Sequence, residues 1–128
     1  MALWQGKSKR KFTGGRRIYA RKKRSFEIGR EQQITTIGSK KLKYAQSRGG
    51  NQKIRALNVD KANVLNPKTK KTVVSDIVGV VENPADPHFV QRNIITKGAT
   101  IKTKAGLAKV TSRPGQTGII NAILIKKK

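Results

Sequence analysis

The chain has 128 residues, with 30 lysines and arginines against 6 aspartates and glutamates, for a net charge of +24. A compact body with that much like charge repels itself, so the composition points to a polyanionic partner, and to a nucleic acid before an anionic membrane. The absence of cysteine excludes a disulfide scaffold, a cysteine-ligated zinc finger and a thiol nucleophile, and agrees with a reducing compartment.

The opening segment "MALWQGKSKR" has no apolar stretch long enough for a secretory signal. Gly6-Lys7-Ser8 has the look of the end of a phosphate loop, but that pattern needs a second glycine five residues earlier, where Met1 stands. Next comes "KSKRKFTGGRRIYARKKR", from Lys7 to Arg24, with ten cations and no acid. Its spacing is not helical, and Gly14-Gly15 interrupts it. Phe12, Ile18, Tyr19 and Phe26 are too few to build the apolar face that a membrane-bound helix requires. Two adjacent glycines let backbone N–H groups approach a phosphate closely. Arginine forks grip phosphate in bidentate fashion, and lysine acts as a point charge. Trp4, Phe12 and Tyr19 are placed to stack on unpaired bases. A solvated tail and a nuclear-import label remain alternative readings of the run.

A turn or two of helix is predicted near Phe26 to Gln33, weakened by Gly29, and another helix over Lys40 to Arg48. "SRGGNQKIRAL", from Ser47 to Leu57, places Arg48, Lys53 and Arg55 around a Gly49-Gly50-Asn51 turn. A single RGG is poor evidence for an RGG-box protein; a tight turn presenting three cations suits it better. A strand is predicted near Ile54 to Val59, and Asn66-Pro67 turns the chain toward the next.

Strands follow over Thr72 to Val81, Phe89 to Ile95, Ala99 to Thr103, Leu107 to Ser112 and Gly118 to Ile125, all rich in β-branched residues. Asp76, inside the first of these, is expected to pair with a lysine or arginine. Turn signals separate the strands: Pro84 and Pro87, Gly98, Gly106, and Pro114-Gly115, the last suited to a type II turn. "VTSRPGQTG" reads either as a plain hairpin turn or as a contact loop led by Arg113 and Gln116. The run "IINAILI", Ile119 to Ile125, is too short to span a bilayer. Six or so short strands suggest a small closed barrel, because closure removes exposed edges. The expected fold is all-β. An antiparallel β-barrel body over 54–128 follows a long, basic, largely irregular extension over 1–53.

Signals for catalysis fail. His88 is the only histidine, in "DPHFV", and its neighbours make it structural or an RNA contact. The acids stand singly, so no carboxylate pair is visible. No metal-ligand spacing occurs and no cofactor is called for. Magnesium can bridge such a protein to crowded phosphates, but that is not written in a sequence. The chain therefore reads as a non-enzyme without a small-molecule substrate or a membrane. A free nucleic-acid-packaging or RNA-chaperone protein is one candidate.

Five motifs, in this order, resemble one family: "RKFTGGRR", "KKRSFEIGR", "SRGGNQKIRAL", "RNIITKGATI" and "TSRPGQTG". It is the archaeal and eukaryotic ribosomal small-subunit protein numbered eight in the eukaryote-type series. The resemblance spans nearly the whole chain. It implies a cytoplasmic, structural protein of the ribosome, bound to small-subunit ribosomal RNA and to neighbouring small-subunit proteins. Its fold would be a β-barrel with a long extension threaded along the RNA. The expected RNA contacts lie at Lys7, Lys9, Arg10, Lys11, Thr13, Gly14, Gly15, Arg16 and Arg17. They continue at Arg21, Lys22, Lys23, Arg24 and Arg30, then at Arg48, Gly49, Gly50, Asn51, Lys53 and Arg55, and end at Arg113. Eukaryotic cytosolic members carry a long charged insert before the region matching "SRPGQ". Only "TKAGLAK" stands there in this chain, as in the short archaeal form. The family often has a basic residue where this chain has Gln46, so position 46 is left out of the contact set.

Overall fold

A computed structural model of the protein describes residues 3–125. The side chain of Trp4, one of the aromatics picked out from sequence, lies outside what it describes. The chain forms two compact units, Met1–Gln32 and Gln33–Lys128.

In the first unit two short strands, β1 (Leu3–Trp4) and β2 (Ile28–Gly29), pair antiparallel. Most of the chain between them has no regular structure. The helix expected from Phe26 shrinks to a 3₁₀ turn at Ser25–Glu27, because Gly29 and the pairing with β1 take over immediately.

The second unit is all-β around a closed barrel. Its strands are β3 (Thr36–Ile37), β4 (Lys41–Gln46), β5 (Gln52–Val59), β6 (Lys61–Leu65) and β7 (Thr72–Glu82). After these come β8 (Thr100–Thr103), β9 (Gly106–Val110) and β10 (Asn121–Leu124). The barrel runs β10-β6-β7-β8-β9, and β3, β5 and β4 form a separate three-stranded sheet. Four of the barrel's five pairings are antiparallel, as the sequence suggested. The fifth is parallel: β10 lies beside β6, with Asn121 opposite Asn63. The two side-chain amides bond across that seam, Asn63 Nδ2 donating to Asn121 Oδ1 at 3.0 Å. Alternation then fills the interior. Ala62 and Val64, Ile77 and Val80, Ile101, Ala108 and Val110, and Ala122 all point inward and are buried.

Three sequence expectations are corrected. Phe89 to Ile95 is not a strand. One helical turn, α1 (His88–Gln91), follows Pro87, and Asn93 at φ +49° then reverses the chain. Ile94 and Ile95 are buried, so the apolar run plugs the body rather than adding a strand. Lys40 to Arg48 is not a helix: "KLKYAQ" is β4, partly buried at Leu42 and Ala45 and held by its pairing with β5. Pro114-Gly115 is not a type II turn. Pro114 starts a helical turn, α2 (Pro114–Thr117), and Gly118, not Gly115, carries the positive φ, at +74°. Proline fits both geometries, because each sets φ near the same value. The strand β6 was not anticipated. Asp76 does pair, as expected, with Lys104 at 2.7 Å.

Candidate RNA interface

The first unit holds eleven cations and two acids, Glu27 and Glu31. Lys9 to Arg17 folds back on itself as a miniature hairpin. Arg17 N–H donates to Lys9 C=O at 2.8 Å, Lys11 N–H to Gly15 C=O at 2.8 Å, and Gly14 N–H to Lys11 C=O at 3.1 Å. Arg10 and Arg16 face each other in an antiparallel bridge. This bond pattern is a type I turn closed by a glycine bulge. It needs a left-handed residue at Gly14, whose φ is +85°. The turn thus collects Lys9, Arg10, Lys11, Arg16 and Arg17 within one short loop.

Hydrogen bonds shape the rest of the segment. Tyr19 Oη reaches back to the carbonyl oxygens of Lys7 and Ser8 at 2.9 and 3.2 Å. Lys11, Phe12, Arg16, Arg17, Ile18 and Tyr19 line an open concavity of about 780 Å³. Phe12 and Ile18 are fully exposed, at 102% and 98%, an arrangement that offers apolar surface to a partner. Arg21 is different. Its guanidinium clasps the Glu27 carboxylate through both nitrogens, and Glu27 also accepts from Arg24 N–H at 3.1 Å. The Arg21 hydrogen bond, with the backbone bond from Arg24, holds the Glu27 carboxyl below its usual range. Arg21 therefore fastens the 3₁₀ turn, and its charge is already matched.

In the second unit, β4 and β5 form an antiparallel hairpin whose loop contains the predicted Gly49-Gly50-Asn51 turn, here begun by a 3₁₀ turn at Arg48–Gly50. Ser47 N–H donates to Asn51 C=O at 2.7 Å, and Asn51 Nδ2 donates to Arg48 C=O at 3.2 Å. Gly49 and Gly50 both adopt positive φ. Arg48 is exposed at the tip, and Lys53 and Arg55 follow on β5. The one-turn helix α2 packs on β5, with Gly118 against Ile54. The Arg113 carbonyl accepts from Gln116 N–H, Thr117 N–H and Thr117 Oγ1 at 2.9–3.0 Å, while its side chain stays exposed. The structure thus groups the predicted residues in two places. Those from Lys7 to Arg30 lie on the first unit, and Arg48 to Arg55 with Arg113 lie on the second. Two cations absent from the predicted set, Lys41 and Lys43, are brought beside the second group. Their signal was the period-2 alternation of "KLKYAQ", obscured by its lack of β-branched residues.

Among the described residues no group of three or more histidines, cysteines, aspartates and glutamates is close enough to hold a metal. His88 is exposed, with its backbone N–H donating to Asp86 Oδ1. Among the described residues no helix is long and apolar enough to cross a membrane.

The chain matches the family described as ribosomal protein S8e over residues 4–125. The chain belongs to the ribosomal protein S8e family. Among its relatives is the small ribosomal subunit protein eS8 of Methanosarcina barkeri, 53% identical over 123 residues, covering 96% of this chain and 98% of the relative. The proteins of the same name from Methanococcoides burtonii and Methanobrevibacter smithii are 54% and 50% identical. They cover 96% and 98% of this chain, and 98% and 100% of their own lengths. These sources are archaeal, in line with the short form expected from "TKAGLAK". Membership in a family of ribosomal proteins also agrees with the reading of the chain as a non-enzyme.

Proposed function

We propose that the chain is a structural constituent of the small ribosomal subunit that binds folded small-subunit ribosomal RNA through lysine and arginine contacts to phosphate. RNA contacts concentrate in the segment over 1–53, and the barrel of β6 to β10 is the body that anchors it among neighbouring small-subunit proteins. The observation that carries this reading is the hairpin of Lys9 to Arg17. It places five cations around a glycine-shaped turn with no acid inside it. A tail that merely sheds charge into solvent has no need of a defined turn, and a path of fixed phosphates does. Ordering 18 residues of chain costs about 20–35 kcal/mol. Nine charge-assisted contacts, Arg21 being paired with Glu27, return about 14–27 kcal/mol. The near balance fits an extension that holds its place only along a preformed RNA path.

The test is sedimentation of tagged protein from cells lysed at moderate salt. Under this reading it stays with small subunits through the wash. A protein that follows bulk nucleic acid instead supports the packaging or chaperone alternative.

A further inference from the structure

We infer that the β4–β5 ribbon carries a built seat for backbone phosphate, formed by Lys43, Lys53 and Arg55 around Ala45. The inference rests on the RNA-binding role proposed above and specifies one of its contact points.

The register fixes the arrangement. From Leu42 opposite Ala56 to Gln46 opposite Gln52 the pairing is regular, with Lys43 opposite Arg55 and Ala45 opposite Lys53. Residues directly opposite in an antiparallel pair share a face, and so do residues two apart on one strand. Lys43, Ala45, Lys53 and Arg55 therefore occupy one side of the ribbon. The other side carries Leu42, packed against the core, and Ala56, fully buried. Beside Leu42 and Ala56, at Lys43 and Arg55, the cationic side thus faces away from the core.

Opposed side chains begin about 4.5–5.5 Å apart at Cβ, and diagonal ones about 7–8 Å apart. Like charges directly opposite each other destabilise a sheet. Nothing nearby in sequence relieves them: no acid occurs between Glu31 and Asp60. Lys43, Lys53 and Arg55 make no ion pair or side-chain hydrogen bond among the described residues. Ala45, the small fourth member, leaves room between them. Arg55 is half-buried, so its stem is held while its fork is presented; Lys43 and Lys53 are exposed point charges. A rigid ribbon with one fork and two ammonium groups is preorganised for a phosphate oxygen cluster. A carboxylate-bearing protein would meet the same charges, but every charge on this face is positive and no acid lies between Glu31 and Asp60, which suits a phosphate backbone.

The test uses the full chain with Lys43→Met, Arg55→Met and the double variant. Lys109→Met serves as control, since Lys109 is an exposed lysine on β9 of the barrel. Two readouts are taken: affinity for purified small-subunit ribosomal RNA and for an unrelated RNA, and thermal unfolding of the free protein at low salt. The seat predicts that each single variant binds about tenfold more weakly than the control, equivalent to about 1.4 kcal/mol. The double variant loses less than the product of the two, because both groups hold the same ligand. Free Lys43→Met melts higher than the unsubstituted protein, because repulsion is relieved. Binding equal to the control, or a lowered melting point, overturns the seat. The comparison with Lys109→Met decides the seat on whichever RNA is bound. Loss of preference for ribosomal RNA in the unsubstituted protein tells instead against the ribosomal role.

Discussion

Replacing Gly118 with alanine should damage the second unit more than its single added methyl suggests. Gly118 is buried, ends α2 at φ +74°, and lies against β5. A Cβ there would stand 2.5 Å from Ile54 Cγ2, 3.1 Å from Ile54 Cβ and 3.5 Å from the Ile54 carbonyl oxygen. Rotating Ile54 does not clear the clash, because Cβ itself is too close and a β-branched side chain has few χ1 choices. The left-handed backbone costs a non-glycine residue about 1–2 kcal/mol. Overpacking adds about 1–3 kcal/mol. The expected loss is thus about 2–5 kcal/mol, a large share of the roughly 5–15 kcal/mol that holds a typical domain folded. Urea unfolding followed by circular dichroism measures it. The companion Ile54→Ala removes Cγ2 and leaves the backbone strain in place. Combined with Gly118→Ala, it should fall short of additivity by the share of the steric cost that Cγ2 carries, the greater part of about 1–3 kcal/mol. A loss below about 1 kcal/mol, or strict additivity, would falsify the claim that Gly118 is required by close approach as well as by φ.

Gly14→Ala makes a useful contrast. No atom lies within 4 Å of its added Cβ, so only backbone strain opposes it. Melting of the barrel should not change, while RNA affinity falls by the roughly 1–2 kcal/mol of left-handed strain, about 5- to 30-fold; unchanged affinity would mean the turn is not used in binding. The Asp76–Lys104 pair gives a pH prediction. Asp76 is held below its usual range by the hydrogen bond from Lys104 and then by its charge, and Lys104 is raised by the same contact. The pair's contribution is present at neutral pH. It is lost as pH falls through the folded Asp76 value, and again as pH rises through the folded Lys104 value. The stability gap between the unsubstituted protein and Asp76→Ala should therefore close at both extremes and narrow in high salt; a gap unchanged in acid would contradict it. Arg21→Gln should perturb the Ser25–Glu27 turn, read as altered chemical shifts for Arg24 and Glu27. Arg24→Gln, which leaves the carboxylate clasp intact, should not release it.

The barrel was legible because its strands carry dense β-branched runs. Thr72 to Val81 falls on a strand, and Ala99 to Thr103 and Leu107 to Ser112 each overlap one, overrunning it by one or two residues. β6 escaped notice because Lys61 and Asn63 dilute its apolar residues, and those two positions point outward where polarity is allowed. The parallel β10–β6 seam is a product of closure, which no local pattern encodes. Phe89 to Ile95 shows the opposite error. Its composition suits a strand, but Pro87 starts a helical turn and Asn93 reverses the chain, so its isoleucines are delivered to the core from a loop. Gly49-Gly50 stood out as a turn from its residues alone, whereas Gly14-Gly15 was legible only as a break in the basic run, and its hairpin is a finding of the structure. The pairing of Lys43 with Arg55 depends on register, and a helix drawn over Lys40 to Arg48 hid it.

The most direct test of the central claim is competition binding. Labelled small-subunit ribosomal RNA is titrated with the full chain across a salt series, against equal lengths of unrelated RNA and duplex DNA. The same series is run with Arg16, Arg17 and Arg24 changed to glutamine. Each neutralised phosphate contributes about 0.7–0.9 to the negative log–log slope. The account predicts a clear preference for the ribosomal RNA, and a slope about 2–3 units shallower in the triple variant. Equal competition by the unrelated RNA and the DNA, or a slope the three substitutions leave unchanged, would contradict it.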